Sequence, residues 1–134
     1  MTTQASQIPL RVGLAGLGAV GLDVAKRLIV GVPGLSLVAV AVRDVEKAKR
    51  ALPQVGDSIA VRKATELAND CDIVVECLPP SLFREVAISA IDKGRILMPL
   101  SVAQLLENTI RSMPHARIAS SSEWLPRTLS LIHI

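Results

Sequence analysis

Residues 10–21 read LRVGLAGLGAVG, an apolar run that passes directly into Gly16-x-Gly18-x-x-Gly21 and then into a helical pattern. Set between a strand and a helix, each glycine has its own physical task. Gly16 lets the chain turn sharply out of the strand. Gly18 leaves no Cβ between the backbone and an approaching pyrophosphate, and Gly21 lets the helix pack close to the sheet. The helix begins with unpaired N–H groups and a partial positive charge. Gly16, Gly18, Ala19, Val20 and Gly21 are therefore expected to form the turn and first helical turn of a dinucleotide cradle. A methyl donor such as S-adenosylmethionine is the competing ligand, although its usual turn is looser and less often carries a third glycine at this spacing.

Working outward, residues 10–15 read as a strand and 20–30 as its helix, with Val20, Val24 and Leu28 at helical spacing. Gly31-Val32-Pro33-Gly34 ends that helix. Residues 35–42 (LSLVAVAV) form a near-continuous apolar run of strand length, as expected of a strand buried on both faces. Asp44 is placed to cap a helix running to about Leu52, before Pro53. A short strand at 59–62 and a short helix at 66–69 follow. Residues 72–78 (DIVVECL) are a further buried strand, broken by Pro79-Pro80. Ser81 is expected to cap a helix with Phe83, Val86, Ala87, Ala90 and Ile91 on one face, ending at Gly94. Residues 95–99 read as a strand, Ser101-x-x-Gln104 as the capping box of another helix, and 116–120 as a last short strand. Strands alternating with helices predict right-handed crossovers and a Rossmann-type, doubly wound parallel α/β sheet.

Composition narrows the functional classes. Of 134 residues, 50% are hydrophobic, which excludes disorder, and no apolar run reaches the roughly 18 residues of a membrane span. Phe83 and Trp124 are the only Phe, Tyr or Trp. Base-stacking nucleic-acid modules need aromatic platforms, so neither nucleic acid nor membrane is an expected partner. The net charge is +3, and Lys47, Lys49 and Arg50 alternate with Asp44 and Glu46 in what reads as a solvated helix face. Cys71 and Cys77 form neither a CxxC pair nor part of a metal cluster and read as buried thiols of a reducing compartment. The leader at residues 1–9, MTTQASQIP, has no basic and apolar signal pattern, so it is expected to be disordered and the protein cytoplasmic.

Cofactor choice should be decided after the second strand. An acid about 20 residues beyond the turn hydrogen-bonds the adenosine ribose of NAD, whereas an arginine nearby accommodates the 2′-phosphate of NADP. This chain has Arg43-Asp44 side by side and Val42 just before them, so NAD and NADP both stay open. Asp44 is equally a helix cap. Leu78, Pro79 and Pro80 stand where ligands bind in open α/β sheets, or serve only to end the strand. Ser101 either meets the nicotinamide end or only caps a helix. Glu76, inside an apolar strand, needs a polar edge or a partner, and a general base is its functional alternative.

These stretches, RVGLAGLGAVG, LVAVAVRDVEKA and DIVVECLPPSLFREVAISAIDKGRILMPLSVAQLLEN, together resemble the cofactor-binding half of aspartate dehydrogenases over residues 11–118. Homoserine dehydrogenases share this cofactor domain more loosely. The resemblance implies NAD(P)-dependent oxidative deamination of L-aspartate to iminoaspartate in pyridine-nucleotide biosynthesis, by a full-length enzyme expected to be a homo-oligomer. It carries over Gly16, Gly18 and Gly21 as cofactor contacts, and less directly Leu78–Pro80 and Ser101. The family's Pro-Ser-Gly-Ala type loop has no counterpart in SSSEWLPRT at 120–128. Its catalytic histidine and substrate-binding residues belong to a second domain, and neither His115 nor His133 matches them.

The expected organisation is a leader at 1–9, an NAD(P)-binding domain at 10–120 and an unalignable tail at 121–134. The last six residues, LSLIHI at 129–134, resemble the translation of a transposon-end adapter and are set aside as an expected assembly scar. On that reading the chain is truncated before its catalytic domain, binds cofactor but carries no catalytic residue, and meets an amino-acid substrate only in the full-length enzyme. The alternatives are a stand-alone NAD(P)-sensing regulatory module and the cofactor domain of a homoserine-dehydrogenase-like enzyme.

Overall fold

The computed structural model describes residues 7–100. The order of elements is β1 (Leu10–Ala15), α1 (Ala19–Val30), β2 (Leu35–Ala41), α2 (Val45–Ala51), β3 (Ala60–Val61), a 3-10 turn (Leu67–Asn69), β4 (Ile73–Glu76), α3 (Pro80–Asp92) and β5 (Ile96–Pro99). All strand pairs are parallel, in the order β3-β2-β1-β4-β5. The chain therefore starts in the middle of the sheet, winds outward to β3, then crosses back to β4. That reversal opens a crevice between the carboxyl ends of β1 and β4. The helix and strand expected from Ser101 onward, the tail, and residues 1–6 of the leader lie outside the described residues.

Residue size sorts the two faces of the sheet. An all-apolar strand carries no polar alternation, but β1 alternates Val12-Gly13-Leu14-Ala15 and β2 ends Ala39-Val40-Ala41. Val12, Leu14, Leu37, Val40, Ile73 and Val75 point to one face, with Ala25 of α1 and Ala48 of α2. Ala15, Ala39, Ala41 and Val74 point to the other, where Leu67, Phe83, Val86 and Leu97 fill the space left by small strand residues. Large side chains thus meet small ones on both faces. Leu14, Leu67 and Leu97 are fully buried, each stabilising the fold by roughly 1.5–3 kcal/mol.

One irregularity interrupts the sheet. The β1–β2 register moves from Val12↔Leu37 to Gly13↔Ala39, leaving Val38 as an extra residue. Val38 and Ala39 consequently both pack on the α3 side, as a bulge requires. Opposite the bulge, a Cβ on Gly13 would lie 2.8 Å from the Cys71 sulfur and 2.9 Å from Leu67 Cγ. Gly13 is therefore the residue that lets the 3-10 turn lie flat on β1.

The helix ends correct two expectations. Ser81 does not cap α3: the N-cap is Pro79 and Pro80 is the first helical residue. Proline is suited to that position because its missing N–H would be unpaired there in any case. Val20 is not part of the packing stripe of α1. It is 59% exposed in the first turn, whereas Gly21 and Ala25 are buried. At the other end of α3, Gly94 has φ +66°; its N–H donates to Ile91 O at 2.9 Å, and that of Arg95 to Ala90 O at 2.8 Å. This pair of bonds is a Schellman ending and supports the termination expected at Gly94.

Candidate cofactor site

The glycine turn divides into two glycines that the fold needs and one that it does not. Gly16 has φ +94°, and a Cβ there would lie 2.8 Å from the Cys77 carbonyl oxygen. A Cβ on Gly21 would lie 2.3 Å from the Gly16 carbonyl oxygen, so α1 sits directly on the turn that precedes it. Gly18 differs: its φ is an ordinary −68° and nothing lies within 4 Å of where its Cβ would be. Among the described residues no atom requires a glycine at this position, so the open space above it is available to a ligand.

Gly18 is also the N-cap of α1, where no side chain caps the helix and no acidic residue occupies the first turn. The amides of Ala19, Val20 and Gly21 precede the first intrahelical bond, Leu22 N–H to Gly18 O at 2.8 Å. Among the described residues no side chain compensates the positive end of the helix dipole. A negatively charged group seated over Gly18 would meet both the free amides and this dipole.

A cleft of about 740 Å³ runs from this point along the carboxyl edge of the sheet, within the roughly 300–1,000 Å³ usual for small-molecule sites. It gathers Gly16 and Gly18 from the turn, Arg43 and Asp44 from the end of β2, and Leu78 and Pro79 from the β4–α3 loop. Ala19, Val20 and Pro80 are exposed beside it, and Gly21 is buried beneath Gly16. Ser101 lies outside the described residues. The cleft floor is apolar, with Leu17, Ala41, Val42 and Ala64 among its lining.

The sequence reading missed three cations on its wall. Lys47, read as part of a solvated face, lines the cleft together with Arg62 and Lys63. A topological signal could have found them. In a parallel sheet every strand ends on the same edge, so the residues following each strand are site candidates. The β2–β3 pairing Val40↔Val61, continued by Arg62 N–H to Val40 O at 2.9 Å, brings Arg62 and Lys63 out beside Val42 and Arg43. Asp44 proves to be the α2 cap, its Oδ1 accepting the Lys47 N–H at 2.9 Å.

Glu76 is fully buried at the end of β4, and its Oε1 accepts the Leu78 N–H at 2.6 Å. Its carboxylate therefore holds the β4–α3 loop in shape, a structural task that satisfies the polar group found in an apolar strand. Burial pushes the Cys77 thiol up to about 11, with the neighbouring Glu76 charge adding to the shift. Burial raises Cys71 to about 11 as well. Both are neutral thiols at pH 7, unsuited to nucleophilic work.

Residues 16–121 match the family model described as homoserine dehydrogenase, NAD binding domain. The chain belongs to this family. Two curated relatives agree with the resemblance read from the sequence. An L-aspartate dehydrogenase from Bradyrhizobium diazoefficiens is 40% identical over 108 residues, covering 81% of this chain and 38% of the relative. Another from Methanocella arvoryzae is 33% identical over 107 residues, covering 77% of this chain and 40% of the relative. The chain thus spans about two fifths of the length of these curated relatives. Among solved structures, a myo-inositol dehydrogenase from Lactobacillus casei in complex with NAD(H) and myo-inositol superposes with a TM-score of 0.63 at 21% identity, covering 84% of this chain and 37% of that one. That likeness shows the shared fold. The resemblance to aspartate dehydrogenases is borne out, and as an NAD-binding domain the chain takes NAD or NADP as its cofactor.

Proposed function

We propose that this chain is the cofactor-binding part of an NAD(P)-dependent oxidoreductase acting on L-aspartate, cytoplasmic and homo-oligomeric at full length. The enzyme would oxidise the amino acid to iminoaspartate, or run the reverse reductive amination. The observation that carries the cofactor half of this reading is Gly18: an open position, at an uncapped helix N-terminus, at the sheet's topological switch point. The relatives' activity supports the substrate half.

In this reading the residues of the chain bind and orient. The amides of Ala19, Val20 and Gly21 receive the pyrophosphate, and the end of β2 receives the adenosine ribose. Leu78 and Pro79, held by the Glu76 carboxylate, flank the nicotinamide half. A bound nicotinamide supplies the hydride acceptor. Fixing it against the β4–α3 loop removes much of the orientational entropy of transfer.

Two measurements test the proposal. Fluorescence titration of the chain with NADH and NADPH is expected to give saturable binding, and the absence of saturation with both overturns the cofactor assignment. A reading frame that continues past Arg127 into a histidine-bearing domain, with a product that reduces NAD(P) in the presence of L-aspartate, supports the reaction. A product that oxidises a different amino acid and ignores L-aspartate overturns the substrate.

A further inference from the structure

The cleft is not electrically neutral at its adenosine end. Of the described charged residues lining it, Arg43, Lys47, Arg62 and Lys63 are cations and Asp44 is the single anion. All five sit where β2 and β3 end, away from the Gly18 cradle in the topology. They are not equivalent. The Arg62 guanidinium is held by Asp70 through Nε at 2.5 Å and by the Val61 carbonyl through Nη1 at 3.1 Å. Among the described residues, Arg43, Lys47 and Lys63 have no ion pair. Asp44, the acid that would otherwise receive a ribose diol, has Oδ1 committed to the Lys47 amide. Val42, just before Arg43, presents an apolar side chain to the cleft.

We infer that this end of the cleft is a phosphate clamp and that the chain selects NADP(H) over NAD(H), with Arg43, Lys47 and Lys63 receiving the adenosine 2′-phosphate. The inference rests on the cofactor reading above and adds its specificity. A neutral ribose diol offers unpaired cations nothing to neutralise and would rely on the single described acid, whose Oδ1 is engaged and which has only Oδ2 left to accept. A dianionic 2′-phosphate matches three free donors, and Arg43 contributes the planar fork suited to phosphate oxygens. Arg62, fixed by Asp70 and the Val61 carbonyl, adds positive potential without having to move.

Titration of the whole 134-residue chain with NADPH and NADH reads the selectivity directly. NADPH is expected to bind on the order of tenfold or more tighter, since each charge-assisted bond adds appreciably to affinity. The preference should shrink as salt rises. Adenosine 2′,5′-bisphosphate should displace NADPH better than 5′-AMP does. In Arg43→Ala and Lys63→Ala, both exposed positions, the NADPH-to-NADH affinity ratio should collapse toward one. Equal affinities in the unsubstituted chain, or a ratio unchanged in both variants, overturn the inference while leaving the cofactor site in place. Failure of both cofactors to bind overturns the site itself, and the clamp with it.

Discussion

Gly18 and Gly21 stand three residues apart in one motif, yet substituting them should have opposite consequences. At Gly18 the backbone is in an ordinary conformation and the space above is open. Gly18→Val should therefore leave the folded state within about 1 kcal/mol of its starting stability, since the N-cap loses a tolerated glycine and little else. NAD(P)H binding should disappear, because the branched side chain fills the pyrophosphate's approach. At Gly21 even one methyl group would overlap the Gly16 carbonyl oxygen, 2.3 Å away. Gly21→Ala should cost about 1–3 kcal/mol, typical of overpacking at a close contact, and binding should weaken as the turn shifts. Urea denaturation and fluorescence titration of both variants give the four numbers. A stable Gly21→Ala chain, or tight cofactor binding by Gly18→Val, would refute this division of roles. The motif alone could not separate them, because a sequence shows that a glycine is present but not which neighbour excludes the Cβ.

At the scale of elements, the entry to the sheet is tied by one ion pair. Arg11 opens β1 and donates from Nη2 to Asp72 Oδ1 at 3.1 Å and from Nε to Oδ2 at 3.3 Å, while its backbone N–H reaches Oδ2 at 2.8 Å. The Asp72 carboxyl is held below the usual carboxylate range, first by the Arg11 side chain and then by the Arg11 amide. A depressed folded value stabilises the native state above the unfolded value of about 4 and loses that contribution as pH falls through the folded one. Urea midpoints should thus decline below about pH 4, and Asp72→Asn should flatten that part of the profile; an unchanged acid limb would remove the pair from the account. The strands themselves were legible. Residues 10–15 match β1 to the residue, and 35–42, 72–78 and 95–99 each overrun β2, β4 and β5 by no more than three residues, because long apolar runs leave little choice of period. The Val38 bulge was invisible, since a run without polar residues carries no register to interrupt. The cationic wall escaped for a different reason. Lys47, Arg62 and Lys63 are scattered along the chain and converge only because parallel strands all end on one edge.

For the molecule as a whole, the cleft is a seam. Its walls come from the β1–β3 half, through Gly18, Arg43 and Lys63, and from the β4–α3 half, through Leu78 and Pro79. The two halves meet along the β1–β4 pairing and nearly touch at the turn, where a Cβ on Gly16 would lie 3.1 Å from Leu78 Cδ2. A ligand lying in that seam contacts both halves only when both are folded. Binding is then linked to global unfolding rather than to one loop. At a free ligand concentration 100 times Kd the native state gains about 2.7 kcal/mol. For a domain of this size each kcal/mol raises Tm by roughly 4–8 °C, so saturating NADPH should shift the melting midpoint by about 10–20 °C. NADH at the same concentration should do less, by the margin that the phosphate clamp sets. Differential scanning calorimetry with each nucleotide separates the possibilities. A single cooperative transition that moves with NADPH supports a ligand bridging the seam. A transition that stays fixed at saturating ligand would mean that whatever binds touches one half alone.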